Sequence, residues 1–146
     1  MRLIPLLLAL LIATPLHATP AADAVLAAAA ADCASVDNGQ FTAPGAVTHP
    51  DLNADGRPDE MINSAQFRCS TLSSMDAGTG GYNFTAIVDG KPTAWQALGW
   101  QLVPVDGGTV LLLAQHGGMC GGYGSQPCYQ ALIWSDGAFL TQAAAQ

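Results

Sequence analysis

Residues 51–59 constrain the fold more than any other stretch of the chain. Oxygen-bearing side chains stand at every second position, a glycine follows the third of them, and an aspartate closes the series. The oxygen-bearing residues are Asp51, Asn53, Asp55 and Asp59. A calcium ion takes about six to eight oxygen ligands, and alternate side chains of one tight turn can converge on it. Gly56 permits the sharp turn, and the carbonyl of Arg57 can add a ligand. The spacing therefore predicts a calcium loop, which we call the cation loop.

The cation loop departs from the EF-hand pattern at its end. An EF-hand carries a glutamate at the twelfth position, where this chain has Ile62, and Glu60 stands two positions early. The loop resembles instead the shorter DxDxDGxxD loops of integrin-type FG-GAP and VCBS repeats, and it is similar to dockerin and thrombospondin calcium loops. The resemblance covers residues 51–62 only. It implies a loop between two strands, with structural calcium held by the side chains of Asp51, Asn53, Asp55 and Asp59 and by the carbonyl of Arg57.

Two other interpretations of the cation loop stay open at this point. Asp, Asn, Gly and Pro are also ordinary turn formers, so the stretch can be a solvated polar turn. Magnesium is a third option, although it demands stricter geometry and keeps its waters. The sequence holds no second copy of the loop, which excludes a propeller built from repeated blades.

The first 18 residues have the composition of a cleaved signal peptide. Arg2 precedes an apolar run from Leu3 to Ile12, and the segment ends on the small residue Ala18. The run is too short to span a bilayer, which needs about 20 residues. We expect cleavage after Ala18, with Ala22 as the alternative, and a single exported domain over residues 19–146. This is the pattern of bacterial export to the periplasm or beyond, and it predicts no membrane anchor after cleavage.

The charge balance bears on possible partners. The chain carries eleven acidic residues against four basic ones, and the basic Arg2 leaves with the predicted signal peptide. So acidic a surface argues against nucleic acid as a partner. The predicted partner is an unidentified protein or small ligand.

The four cysteines all lie in the predicted exported part, at Cys33, Cys69, Cys120 and Cys128. An even count in an exported chain indicates disulfides, and four cysteines allow three pairings. We favour Cys33–Cys69, which ties the N-terminal segment to a strand, and Cys120–Cys128, which closes a short loop rich in turn residues.

Local patterns predict one helix followed by strands. Thr19-Pro20 and an alanine-rich run predict a helix that ends near Ser35. Beyond it, short alternating segments recur every 8–15 residues, and Asp89-Gly90 is a strong hairpin signal. Residues 109–115 form a nearly continuous apolar run, which predicts a central strand buried on both faces. The predicted class is α+β, mainly an antiparallel β meander with one N-terminal helix, stapled by disulfides.

Residues 116–128, which we call the glycine-rich loop, form the second unusual stretch. His116 with Cys120 or Cys128 could pair as a nucleophile and its base, and His116 with both cysteines, joined by His49, could bind zinc. An exported cysteine pair this close in sequence is usually oxidised, which argues against both. Two further interpretations are a loop that presents His116, Met119 and Tyr123 to a ligand or partner, and a stapled hairpin loop without one.

No catalytic constellation stands out in the sequence, and we do not expect an enzyme. No serine has a recognisable nucleophile elbow, and the neighbours Asp59 and Glu60 point oppositely on an extended chain. Trp95, Trp100 and Trp134 could line a carbohydrate surface, but at strand spacing they are more often core residues. The sequence predicts an exported calcium-binding module. The alternative is an inhibitor or binding partner of another protein that uses the glycine-rich loop.

Overall fold

The computed structural model describes residues 18–124 and 126–141. The predicted signal peptide, apart from Ala18, lies outside these residues. The described residues form one α-helix, α1 (Pro20–Ser35), and a series of antiparallel strands, which confirms the predicted α+β class. The strands are β1 (Phe41–Thr42), β2 (Val47–Thr48), β3 (Glu60–Asn63), β4 (Arg68–Cys69), β5 (Ala77–Gly78), β6 (Gly81–Val88), β7 (Lys91–Ala97), β8 (Gly99–Val105), β9 (Gly108–Gln115), β10 (Cys128–Ser135) and β11 (Ala138–Thr141). Within the described ranges, no helix combines the length and the apolar character needed to cross a membrane.

Helix α1 begins where its local chemistry predicts. Thr19 is the N-cap, and its hydroxyl oxygen accepts a hydrogen bond from the backbone N–H of Ala22 at 3.3 Å. Pro20 suits the first turn because its missing N–H would have no partner there. Ala22, Ala29 and Cys33 are buried on the inner face of the helix. These small side chains allow α1 to lie close to the sheet beneath it.

The strands form two sheets and a small ribbon. The first sheet has the order β2-β3-β6-β5, and β7 pairs with nearly the whole length of β6, from Tyr82 to Val88, on the edge opposite β3. The second sheet is a meander in the order β11-β10-β9-β8. The chain passes between the sheets at Leu98, whose N–H donates to the carbonyl of Ala114 at 2.6 Å. The predicted antiparallel meander therefore extends only over β8 to β11. Elsewhere, strands that are not consecutive pair with each other: β3 with β6 across a long connection, and β1 with β4 in the ribbon.

Strand β3 and most of β6 in the first sheet are buried on both faces. Met61, Ala86 and Val88 pack with Leu111 and Leu113 of the second sheet. Their neighbours in the strands pack on the other side against α1; these are Ile62 and Ile87. The prediction that residues 109–115 form the doubly buried strand is therefore wrong. In β9 only Leu111 and Leu113 are fully buried, because no helix among the described residues covers the outer face of the second sheet.

All four cysteines are paired, in the arrangement that the sequence favoured. Cys33 near the end of α1 bonds Cys69 of β4, with Cα atoms 5.7 Å apart. Cys120 bonds Cys128, with Cα atoms 6.5 Å apart, and so closes the glycine-rich loop. The first bridge fixes the helix to the β1–β4 ribbon, and the second fixes the connection between β9 and β10.

The three tryptophans contribute to the core. Trp95, Trp100 and Trp134 are half-buried and pack against the cluster between the sheets. Phe139 lies edge-on to both Trp95 and Trp134, with ring centroids 5.0 and 4.9 Å away. This arrangement matches the core role predicted for tryptophans at strand spacing.

Candidate functional site

The cation loop connects two paired strands, β2 and β3, as its resemblance to calcium loops implies. Its neck closes through the N–H of Asp59, which donates to the carbonyl of Pro50 at 2.8 Å. Leu52 is only 2% exposed and belongs to the core between the sheets. The N–H of Leu52 donates to Oδ2 of Asp59 at 2.8 Å. The loop is therefore anchored at its base by a buried side chain and two hydrogen bonds.

The first three oxygen-bearing residues hold one turn of backbone. Oδ1 of Asp51 accepts from the N–H of Asp55 at 3.2 Å, and Oδ2 of Asp51 accepts from the N–H of Gly56 at 2.9 Å. Oδ1 of Asn53 accepts from the same Asp55 N–H at 3.0 Å. Gly56 has a φ of +82°, in the left-handed region that glycine adopts without penalty. Asp51, Asn53 and Asp55 are thus brought together around a turn that needs a glycine where the sequence has one.

The side chain of Arg57 already engages Asp55. Oδ2 of Asp55 accepts from Nε of Arg57 at 3.0 Å and from Nη2 at 2.6 Å. These hydrogen bonds and the backbone N–H of Arg57 hold the pKa of Asp55 below its ordinary value, and the same pair raises the pKa of Arg57. Nη2 of Arg57 also lies 4.0 Å from Oδ1 of Asp89. The positive charge on the cation loop is therefore the guanidinium of its own arginine.

The carboxylate of Asp59 lies apart from the three oxygen-bearing side chains around the turn. Less of its negative charge is compensated than that of Asp55. Partial burial raises its pKa, and the charges of Asp55 and Asp51 add to the effect, although the hydrogen bond from Leu52 opposes it. Among the described residues, no three Asp, Glu, His or Cys side chains converge as a metal site would require. The structure thus gathers Asp51, Asn53 and Asp55, and holds the Asp59 carboxylate at the base of the loop.

Two residues that support this region carry no signal in the loop pattern. Leu52 fills a position that calcium-loop patterns leave unspecified, yet it anchors the loop in the core. Glu60 is 3% exposed and accepts hydrogen bonds from Thr19, which is 41 positions earlier in the chain. No rule of sequence spacing predicts a contact between residues so far apart in the chain. Only the apolar character of Leu52 among polar neighbours could have indicated its role.

The glycine-rich loop is compact and begins with a single 3-10 turn at Gly117–Cys120. Gly117 is buried, and a Cβ at that position would overlap the carbonyl oxygen of Tyr123. Nδ1 of His116 accepts from the N–H of Gly118 at 3.2 Å, and the imidazole ring packs against Gly124. The Met119 and Tyr123 side chains, in contrast, are 70% and 79% exposed. The loop therefore holds the half-buried His116 against its own backbone and presents Met119 and Tyr123 to solvent.

The disulfide decides between the interpretations of the glycine-rich loop. Cys120 and Cys128 are bonded to each other, so neither supplies the thiolate that a nucleophile or a zinc ligand needs. The nitrogen Nδ1 of His116 is already used within the loop. The thiol–base and zinc interpretations are therefore not supported by the arrangement of these side chains.

Comparison with known proteins adds no assignment. No protein-family model matches the chain, and no significant match is found among curated proteins or solved structures. A functional conclusion for this chain therefore has to come from the geometry of its two loops.

Proposed function

We propose that this chain is an exported module whose cation loop binds one calcium ion, and that the ion stabilises the fold. The observation that carries this proposal is the turn held by Asp51, Asn53 and Asp55 around Gly56. It leaves three oxygen-bearing side chains on one short segment that is anchored in the core through Leu52. Carboxylate and amide oxygens are the ligands that calcium prefers in proteins.

The charge distribution supports a divalent ion over a plain polar turn. Asp51, Asp55 and Asp59 lie within nine residues, and Arg57 is the only basic side chain in that stretch. Partial burial is the main cause of the raised pKa of Asp59, and repulsion by the charges of Asp55 and Asp51 adds to it. A divalent cation would relieve this repulsion, and it would stabilise the folded state because the unfolded chain has no preformed site.

Calcium has to compete with the guanidinium of Arg57 for Asp55. The two nitrogen atoms of Arg57 hold Oδ2 of Asp55, so this oxygen becomes a ligand only when the arginine side chain swings away. Arg57 itself would contribute its backbone carbonyl, which any residue can supply. Loss of the Arg57 side chain should therefore strengthen calcium binding, whereas loss of the Asp55 charge should weaken it.

Titration of calcium into the metal-free protein tests the proposal. Extracellular calcium modules bind with dissociation constants of about 10⁻⁴–10⁻³ M. At about 100 times the dissociation constant, the free energy of unfolding should rise by about 2.7 kcal/mol, and EDTA should reverse this. Isothermal calorimetry and thermal unfolding measure the two effects, and magnesium provides the comparison for a smaller ion.

Three variants sharpen the result. We expect Asp55→Asn to reduce calcium affinity at least tenfold and Arg57→Ala to increase it. Asp106→Asn removes an exposed carboxylate outside the loop, so it should leave calcium affinity unchanged. The absence of both a calorimetric signal and a melting shift in the unaltered protein would refute the proposal, and so would equal calcium affinity in all three variants.

Export of the chain is the second part of the proposal. Two disulfides tie the described domain together, and disulfides persist in oxidising compartments. The apolar segment before Ala18 supplies the expected signal for export to the bacterial periplasm or beyond.

A second candidate function is recognition of another protein through the glycine-rich loop. Met119 and Tyr123 are large apolar side chains that extend from a loop closed by a disulfide. Exposed apolar and aromatic side chains on a rigid support are typical of binding surfaces, because ordering them costs little entropy. The partner of such a loop would be an enzyme or another protein of the same compartment.

Capture experiments with immobilised protein test this second candidate. We expect Tyr123→Ala to lose a specific partner from the exported fraction while the melting temperature stays unchanged, because Tyr123 is exposed. Tyr129→Ala is the matched control, since Tyr129 is 71% exposed on β10 just outside the loop. Equal capture by the two variants, with the bound protein identified by mass spectrometry, would exclude a role for Tyr123.

A further inference from the structure

Glu60 is a buried carboxylate that has no charged partner among the described residues. The side chain at the start of β3 is 3% exposed. One oxygen accepts from the backbone N–H of Thr19 at 2.8 Å, and the other accepts from the Thr19 hydroxyl. Across residues 18–124 and 126–141, the ion pairs that the structure contains join Arg57 to Asp55 and Asp89, and none includes Glu60. Burial of a carboxylate is unfavourable unless a positive charge compensates it, so a cationic partner is expected at this place.

Thr19 belongs structurally to the folded domain. It caps α1, and its carbonyl accepts from the N–H of Asp23 at 2.9 Å. Ala22 in the first turn is fully buried. Cleavage after Ala22 would remove the helix cap and both hydrogen bonds to Glu60. The geometry therefore favours the predicted boundary between Ala18 and Thr19 over the alternative boundary after Ala22.

We propose that hydrolysis of the Ala18–Thr19 peptide bond creates an α-ammonium at Thr19 that forms a buried ion pair with Glu60. Water adds across the bond: the Ala18 carbonyl carbon takes the hydroxyl group, and the nitrogen of Thr19 takes a proton and leaves as an amine. The free amine takes a second proton from solvent at neutral pH. The nitrogen that now lies 2.8 Å from Glu60 Oε1 becomes the new chain terminus. Processing thereby replaces the neutral N–H donor with a positively charged ammonium, so the hydrogen bond to the Glu60 carboxylate becomes an ion pair that fixes α1 to β3.

The surroundings of Thr19 favour a positive charge. A pocket of about 220 Å³ adjoins the site, and its lining includes four carboxylates and one guanidinium. The charged groups and the new terminus that line it are Thr19, Asp55, Arg57, Asp59, Glu60 and Asp89. An ammonium at the positive end of a helix is normally unfavourable, but a carboxylate directly beside it reverses that balance. Glu60 is this carboxylate.

Amine labelling of the processed protein tests the ion pair. The chain contains a single lysine, Lys91, so the processed protein has two amines and Lys91 is an exposed internal reference. At pH 7 a free α-amine reacts on the order of tenfold faster than a lysine, because more of it is unprotonated. We expect the reverse order here, with the Thr19 amine labelled more slowly than Lys91 by an amine-reactive ester, and Glu60→Gln should restore fast labelling of Thr19. An unchanged labelling rate of Lys91 controls for unfolding of the variant.

A second measurement does not depend on labelling. A chain that begins at Thr19 is compared with one that retains Ala18, each with Glu60 and with Glu60→Gln, in EDTA so that calcium plays no part. We expect the extra residue to lower the melting temperature by about 5 °C or more when Glu60 is present, and by much less in the Glu60→Gln background. Equal losses in the two backgrounds would overturn the inference.

The inference rests on export but not on calcium binding, and the outcomes separate the two. Terminal sequencing of the exported protein should give Thr19. A chain recovered with Met1 or Asp23 at its terminus would overturn the processing step, and the Met1 result would also contradict export. A Thr19 terminus that labels faster than Lys91 would overturn the ion pair alone.

Discussion

Replacement of both Cys33 and Cys69 by alanine is expected to lower the free energy of unfolding by about 4 kcal/mol. The two residues are 36 positions apart, so their bond closes a long loop and removes much of the conformational freedom of the unfolded chain. Cys33 is fully buried where α1 meets the first sheet, and its loss also weakens that contact. Urea unfolding of the purified protein under non-reducing conditions measures the change.

The second disulfide supplies the matched control. Cys120 and Cys128 are only 8 positions apart, and the same chain-entropy argument gives about 2.5 kcal/mol for alanine at both positions. The two double variants should therefore differ by about 1.5 kcal/mol. Equal losses, or an unchanged midpoint for the first pair, would contradict the interpretation that the long bridge is the principal covalent support of the domain.

Substitution of Gly81 by alanine is expected to destabilise the protein by about 3 kcal/mol or more. Gly81 begins β6 with a φ of +99°, and a Cβ there would overlap the backbone carbonyl oxygen of Ala97 in β7. Backbone strain and overpacking each cost about 1–3 kcal/mol, and neither can be relieved by a side-chain rotation because the contact is with backbone. Urea unfolding again provides the measurement.

Gly99→Ala is the control for this second prediction. Gly99 begins β8, has an ordinary φ, and no heavy atom lies within 4 Å of the position that a Cβ would occupy. We expect a change within about 0.5 kcal/mol of zero. If the two glycine variants unfold at the same urea concentration, the close approach of β6 and β7 does not constrain the fold as described.

Local chemistry determined the parts of the fold that could be predicted from the sequence. Thr19-Pro20 marked the start of α1, and Asp89-Gly90 formed the expected hairpin turn, with φ values of +51° and +72°. Each of these features depends on residues within a few positions of one another. The turn of the cation loop around Gly56 was predictable for the same reason.

The features that could not be predicted depend on contacts between distant segments. Apolar runs indicate which residues are buried, but not which sheet lies under the helix, so β9 was predicted to have the burial on both faces that β6 has. The bond of Glu60 to Thr19 and the pairing of β3 with β6 follow from the packing of α1 and the sheets. In the site, the Asp55–Arg57 pair was missed because the pattern of a calcium loop specifies Arg57 only through its backbone.

The burial of Leu52 has a consequence for how the cation loop can vary. Leu52 fills space shared by both sheets, so an insertion beside it would pull an apolar side chain out of the core. Ala54 and Arg57, in contrast, are exposed at the tip. Extra residues between positions 54 and 57 should therefore disturb the turn held by Asp51 and Asn53 but leave the core in place, whereas extra residues next to 52 should disrupt the core itself.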